Sequence, residues 1–267
     1  MKHLKILSAA IAMALSSGAA LAGNTAEITQ DGSDNWADIT QIISGESRAT
    51  IGTTGDNNTA TIIQDDSLDA SASITQNGNN NDATVSQTNL SDGASATIDQ
   101  TGSDNVATST QDNALDSTIS ITQSGSGHLA EALQQDVEGA EIVIDQSGNN
   151  NQAFVNQTEG ADFSYAEITQ SNEGNWAQIN QMYGTDMAAY VEQSGAANNA
   201  LIDQKGERDV ADILQSGNDN IATITQEEFG TDNEAFVTQS GNLNIADVVQ
   251  GVDGSFNYAD ISQGGDG

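Results

Sequence analysis

Primary amides recur along this chain at a fixed interval. Glutamines stand at 30, 76, 100, 123, 146, 170, 193, 215, 239 and 263, with Thr53 in the one vacant place. A second set stands at 41, 64, 87, 111, 134, 157, 181, 204, 226 and 250. A primary amide carries two donors and an acceptor oxygen, so identical amides one strand spacing apart satisfy one another as a continuous ladder. The positions that define such ladders are Gln30, Asn35, Gln41, Gln76, Asn81, Gln87, Gln100, Asn105, Gln111, Gln146, Asn151, Gln157, Gln239, Asn244, Gln250 and Gln263. Their chemistry is self-association: no nucleophile, base or metal-ligand set recurs with them.

The elements that must hold these amides follow from the residues between them. Each unit reads Ala-x-Ile-x-Gln-x-Gly-x-x-Asn-x-Ala-x-Ile-x-Gln, as in Ala72-Ile74-Gln76-Gly78-Asn81-Ala83-Val85-Gln87. Apolar residues at a spacing of two define one face of an extended strand, so the unit is strand, tight turn, strand. Glycine stands in that turn at Gly32, Gly55, Gly78, Gly102, Gly125, Gly148, Gly195, Gly217 and Gly241, where it allows a positive backbone angle at little steric cost. Asn172, the next most tolerant type, replaces it in the seventh unit.

One unit cannot fold alone. Burying an Ile contributes about 1.5–3 kcal/mol, whereas ordering each backbone residue costs about 1–2 kcal/mol. Units stacked in register, about 4.7–4.8 Å apart, give every strand two neighbours and close the inward Ala and Ile columns on one another. The expected fold is therefore all-β: a parallel in-register β-solenoid of strand-turn-strand rungs in two facing sheets, amyloid-like in its stacking. Inward Gln side chains then lie in the core. His128 takes the turn-Asn place of its unit, as a tolerated substitution rather than a catalytic base.

Composition bounds the function. The 267 residues hold 39 acids against 5 Lys and Arg, with no Cys and no Pro. A surface this acidic excludes nucleic acid as a partner, and the absence of Cys excludes disulfides and thiolate metal sites. Absence of Pro suits a ladder that a proline would interrupt. Residues 1–22 read as a Sec signal peptide: Lys2 and Lys5, an apolar run from Ile6 to Leu15, and Ala20-Leu21-Ala22 before a cleavage site. Residues 23–267 form the repeat domain, ten two-strand repeats and a terminal half-repeat Ala259-Ile261-Gln263. Removal of the leader leaves Arg48, Lys205 and Arg208 against all 39 acids, a formal charge of −36, and no later stretch able to hold the chain in a bilayer. Acids at outward strand positions are staggered so that none sits above another, which avoids repulsion within a Debye length.

The spacing Gln100-Gly102-Asn105-Ala107-Gln111, repeated as Gln146-Gly148-Asn151-Ala153-Gln157, resembles the curlin repeat of curli fibre subunits. The resemblance implies a secreted structural subunit of Gram-negative bacteria that assembles into extracellular, cell-surface amyloid fibres for biofilm matrix and adhesion. The partners it implies are further copies of itself, a curli-type outer-membrane secretion pore and a nucleator. It also associates the terminal repeats with nucleation and polymerisation: Gln30, Asn35 and Gln41 at one end, Gln239, Asn244 and Gln250 at the other. Ten repeats exceed the family's usual five or so, and Ala26 opens the first strand without the Gly- and Asn-rich segment that family members place before it.

Three alternatives stand beside this one: a nucleator, which the sequence does not separate from a major subunit, and two solenoids that fit less of the pattern. A nucleator subunit shares the repeat. A calcium-organised solenoid draws on turns such as Gly32-Ser33-Asp34-Asn35, but its acids are irregular from unit to unit. An ice-binding solenoid needs regular outward Thr, and Thr29, Thr75, Thr122, Thr169 and Thr238 are interrupted by Gly52, Asp99, Asp145, Glu192 and Leu214. No enzyme or cofactor is expected. Trp36 and Trp176 share one outward place with Val106, Leu129, Ile221 and Ile245, a partly apolar stripe.

Overall fold

Two sheets of eleven parallel strands face each other, and successive strands of the chain alternate between them. The computed structural model describes residues 9–14, 23–227, 230–251 and 254–267. The strands are β1 Ala9–Ala14, β2 Thr25–Asp31, β3 Trp36–Ile42, β4 Arg48–Thr54, β5 Thr59–Asp65, β6 Ser71–Asn79, β7 Asp82–Thr88, β8 Ser95–Ser103, β9 Val106–Leu115, β10 Thr118–Ser126 and β11 Leu129–Glu138. They continue as β12 Glu141–Asn149, β13 Gln152–Thr158, β14 Tyr165–Glu173, β15 Trp176–Met182, β16 Ala188–Ala196, β17 Asn199–Gln204, β18 Val210–Asn218, β19 Ile221–Gln226, β20 Glu234–Ser240, β21 Ile245–Gln250 and β22 Tyr258–Gln263. Even strands stack in one sheet and odd strands in the other, each pairing with the strand two before and two after it. Each even strand and the odd strand after it make one rung of the expected β-solenoid.

Register follows the repeat. Ala96, Ile98 and Gln100 of β8 lie beside Ile119, Ile121 and Gln123 of β10 in the next rung. Alternation places every second residue inside, so Ala37, Ile39, Ala49, Ile51 and their counterparts up to Ala246 and Val248 form one continuous buried core. A second apolar cluster, Ala114, Val137, Ala140, Ala161 and Met187, fills the opposite corner of the middle rungs. That cluster falls outside the Ala-x-Ile wording and has no counterpart in the sequence reading.

The turn glycines are needed for close approach as much as for backbone angle. At Gly102 φ is 115°, and a Cβ there would collide with the Gly125 carbonyl of the next rung. Gly195 differs from the expectation: its φ is not in the positive region, yet a Cβ would strike the Gly217 carbonyl, so packing alone requires the glycine. Asn172 adopts a φ of 71°. Along the strands no acid is paired with an acid of the neighbouring rung, so the stagger read from the sequence holds in the observed register.

Most of the leader reading, residues 1–8 and 15–22, lies outside the described residues. Its middle, β1, lies parallel to β3 with Ala9 opposite Ala37 and Ile11 opposite Ile39. A strand is not expected within a leader; Ala9-x-Ile11 copies the Ala-x-Ile parity of the repeat, which lets it extend the open β3 edge. Among the described residues no helix is long and apolar enough to cross a membrane.

Candidate functional site

Buried glutamines run through each sheet as a one-way chain. In the odd sheet Gln41 Nε2 donates to Gln64 Oε1 at 2.8 Å, and the same bond links Gln64 to Gln87, Gln87 to Gln111, and Gln111 to Gln134. It continues through Gln157, Gln181, Gln204 and Gln226 to Gln250. In the even sheet the chain begins at Gln76, passes Gln100, Gln123, Gln146, Gln170, Gln193, Gln215 and Gln239, and ends at Gln263. The remaining amide proton reaches the backbone: Gln134 Nε2 also donates to Ala140 O at 2.8 Å and Thr118 O at 3.1 Å. Each amide thus ties its own rung to the next and one sheet to the corner of the other, which satisfies a polar group that would be costly to bury unpaired.

Every donor in both chains points toward the C-terminal rungs. The buried acceptor Gln41 Oε1, at the N-terminal mouth of the odd-sheet chain, has no partner among the described residues. One further defect lies inside the stack. At the Thr53 rung, Gln30 Nε2, Thr53 Oγ1 and Gln76 Oε1 all lack partners among the described residues. A Thr hydroxyl is too short to span two amides, so Gln30 stands in line with the column but outside its hydrogen-bonded run.

The asparagines do something different from the ladder expected of them. Asn35 Oδ1 accepts the backbone N–H of Asn58 at 2.9 Å, while its Nδ2 donates to the Gly55 carbonyl at 2.7 Å. Asn81 and Asn105 repeat this clasp on Gly102 and Gly125. Asn151 donates to Asn172 O, the residue in the turn-glycine place, and accepts from Asn175 N–H. Asn244 bonds back to Asn220 Oδ1 through both its backbone and side-chain nitrogens. The shorter side chain reaches the turn backbone, so the column staples turns, and among the described residues amide-to-amide bonds join it only at Asn81 to Asn58, Asn220 to Asn198 and Asn244 to Asn220.

His128 completes that column. It is buried; its Nδ1 accepts the Asn151 N–H at 3.3 Å, and its Nε2 faces Ser124 O at 3.3 Å. Accepting at Nδ1 leaves the proton on Nε2, and the ring then replaces the Asn oxygen and amide in one neutral tautomer. Burial lowers its pKa, outweighing the two backbone carbonyls that favour the cation.

At the second corner, two residues before the first Ala of each unit, lies a column the sequence reading missed. It includes Ser47, Ser117, Ser164, Asp209 and Asn233, all buried. Ser47 Oγ donates to Ser67 O and accepts the Ala70 N–H, as Ser117 Oγ accepts that of Ala140. The residue types vary, which hid the column, but their offset from Ala mirrors that of Asn35 from Ala37. Asp209 is the charged member. Its Oδ1 accepts the Asn233 N–H at 2.9 Å, its Oδ2 has no partner among the described residues, and burial pushes its pKa up to about 6. Close by, Arg208 forms a bidentate bond to Asp232, both contacts 2.8 Å, while Lys205 lies 3.9 Å from Asp203.

Among the described residues no group of three or more His, Asp or Glu is arranged to hold a metal ion. The model of the curlin associated repeat matches residues 22–65, 92–125, 195–227 and 230–265, more than half of the chain. The chain belongs to the curlin repeat family. No curated protein matches it. Rungs between the matched segments, such as β6 with β7 and β12 with β13, keep the same register and the same glutamine bonds, so the curlin architecture runs unbroken through stretches the family model leaves unmatched. Family and fold are those of a structural protein.

Proposed function

We propose that the exported chain is a fibre subunit that polymerises head to tail, outside the cell, into amyloid of the curli type that serves matrix and adhesion. The observation that carries this reading is the common direction of the glutamine chains. Once the leader that carries β1 is removed from the β3 edge, one end offers the acceptor Gln41 Oε1, and the other ends in amides whose donors have no further glutamine to meet, Gln250 and Gln263. These ends are complementary to each other and not to themselves, so a second copy docks with the same polarity and continues both the backbone ladder and the amide chain. The terminal Gln41, Gln250 and Gln263 then meet, in the fibre, the glutamine partner their interior counterparts already have, whereas the Gln30 donor still faces Thr53 of its own chain. An outer-membrane pore and a nucleator are the partners this role requires. The reading is tested on purified residues 23–267 by thioflavin fluorescence, electron microscopy and fibre diffraction. Fibres with a meridional spacing of ~4.7–4.8 Å are expected; a chain that stays monomeric even when seeded with sonicated aggregate overturns it.

A further inference from the structure

One outward column of the even sheet changes character halfway along the molecule. It opens on Glu27, reads Thr50, Ser73, Thr97 and Ser120, small and uncharged, in rungs two to five, and Val143 in rung six. From β14 onward it reads Glu167, Tyr190, Asp212, Phe236 and Asp260, each directly paired with the next. Acid and ring alternate over five consecutive strands. The core gains nothing from this, since Thr and Ser satisfy the same position in the first half of the solenoid.

The neighbouring column adds two more rings to the stripe. Tyr165 packs on Tyr190 with ring centroids 5.6 Å apart, and Phe236 on Tyr258 at 5.9 Å. Tyr165 Oη donates to Glu167 at 2.9 Å, fixing one carboxylate at the stripe's edge. Tyr190 is 38% exposed and Tyr258 65% exposed, so ring surface is open to solvent. Among the described residues no ion pair reaches Glu167, Asp212 or Asp260. Burial and the nearby Glu192 push the Asp212 carboxyl above the ordinary range, as expected of a carboxylate without a cation beside it.

We infer that this stripe is a docking surface for an extended, arginine-bearing segment of another protein. Charge complementarity selects the occupant. A guanidinium stacks on an aromatic face and also forks onto a carboxylate, so a column that alternates the two offers it both contacts at every second rung. The carboxylates recur every two strands, ~9.5 Å, which matches side chains three residues apart in a polyproline-II segment, ~9.3 Å, where every third side chain lies on the same face. A second copy of this chain cannot supply the cations: beyond the leader it has only Arg48, Lys205 and Arg208, and the latter two already lie against Asp203 and Asp232.

The test uses a fluorescein-labelled peptide of three Arg-Ser-Gly units, its lysine counterpart, and residues 23–267, followed by fluorescence anisotropy at physiological salt. The arginine peptide is expected to bind, and the lysine peptide at least threefold more weakly. Tyr190→Thr with Phe236→Thr leaves the charge unchanged and installs the residue found at Thr50 and Thr97; it is expected to weaken arginine-peptide binding at least fivefold with an unaltered β circular dichroism spectrum. Should that variant lose its spectrum, the isosteric Asp212→Asn is expected to show the same weakening. Binding that is equal for both peptides and indifferent to these substitutions, or no binding at all, overturns the inference and leaves the rings as spacers between like charges.

Discussion

At the scale of single residues, three buried polar side chains depart from the repeat, and each carries an expected outcome. Thr53 breaks the even-sheet glutamine chain and leaves three unpaired polar atoms behind it. Thr53→Gln supplies an amide long enough to bridge Gln30 and Gln76; restoring two net hydrogen bonds at about 1 kcal/mol each should raise the denaturant midpoint of the chain. A variant no more stable than the parent would show that the rung has relaxed around its threonine. Asp209 and His128 set opposite pH responses. The folded pKa of Asp209 is raised, so the native state holds its proton above the ordinary carboxylate range. Stability is then greatest near pH 4, falls as pH rises to about 6, and stays lower above it. Asp209→Asn should remove that loss, on the order of 1–3 kcal/mol at pH 7.5, as measured by urea melts across pH. The His128 pKa is lowered, so its contribution is intact above the ordinary histidine value and declines as pH falls below about 6.5. His128→Asn, the residue its column otherwise uses, should abolish that decline.

Elements here are short strands whose identity comes from their neighbours above and below. The turn at Gly102 shows how tightly the rungs are set: Gly102→Ala puts a methyl against the Gly125 carbonyl and forces a left-handed residue to carry a side chain. The expected cost is on the order of 2–4 kcal/mol, read as a lowered unfolding midpoint, against about 0.5 kcal/mol for an outward substitution such as Thr108→Ser. Equal costs at the two sites would mean that rungs part freely at the turn. Parity made most of this legible from the sequence. Ala, Ile and Gln at spacings of two give the inward face of each strand, the seven-residue step from Gln to the next Ala gives the turn, and a constant interval of 22 to 24 residues gives the parallel register. What stayed hidden depended on geometry outside that wording. The Asn side chain is one methylene shorter than Gln, which reduces an expected amide ladder to a few rungs and adds a clasp on the turn backbone. The second corner mixes Ser, Ala, Met, Asp and Asn, so its role in fixing the chain's return is visible only once the rungs are stacked. The acid and aromatic alternation along Glu167, Tyr190, Asp212, Phe236 and Asp260 keeps the interval of 22 to 24 residues, but its residue type changes at every rung, so no repeated residue marks the column.

On the scale of the whole molecule, charge density governs how copies meet. The 39 acids against the three Lys and Arg of residues 23–267 are spread over ten and a half rungs. At ~4.75 Å per rung this is about one net negative charge per 1.4 Å of axis, denser than the ~1.7 Å of double-stranded DNA. A rod so charged condenses counterions, and joining two such rods end to end concentrates charge at the junction, where the opposing ends lie within a Debye length of each other. The amide and backbone ladders favour docking while the charge opposes it. Polymerisation of residues 23–267 should therefore be slow at neutral pH and low salt. It should accelerate several-fold between about 10 and 300 mM NaCl as the Debye length falls from ~30 to below 8 Å. It should accelerate again near pH 4.5, where carboxylates begin to take up protons. Gln41→Leu separates this electrostatic gate from the contact it guards. Removing the buried acceptor should slow elongation of preformed seeds at every salt concentration while leaving the salt dependence unchanged, since the charge is the same. Elongation by seeded thioflavin kinetics that ignored both salt and pH would remove charge from the mechanism, and a Gln41→Leu chain that elongated at the parental rate would remove the directed amide junction.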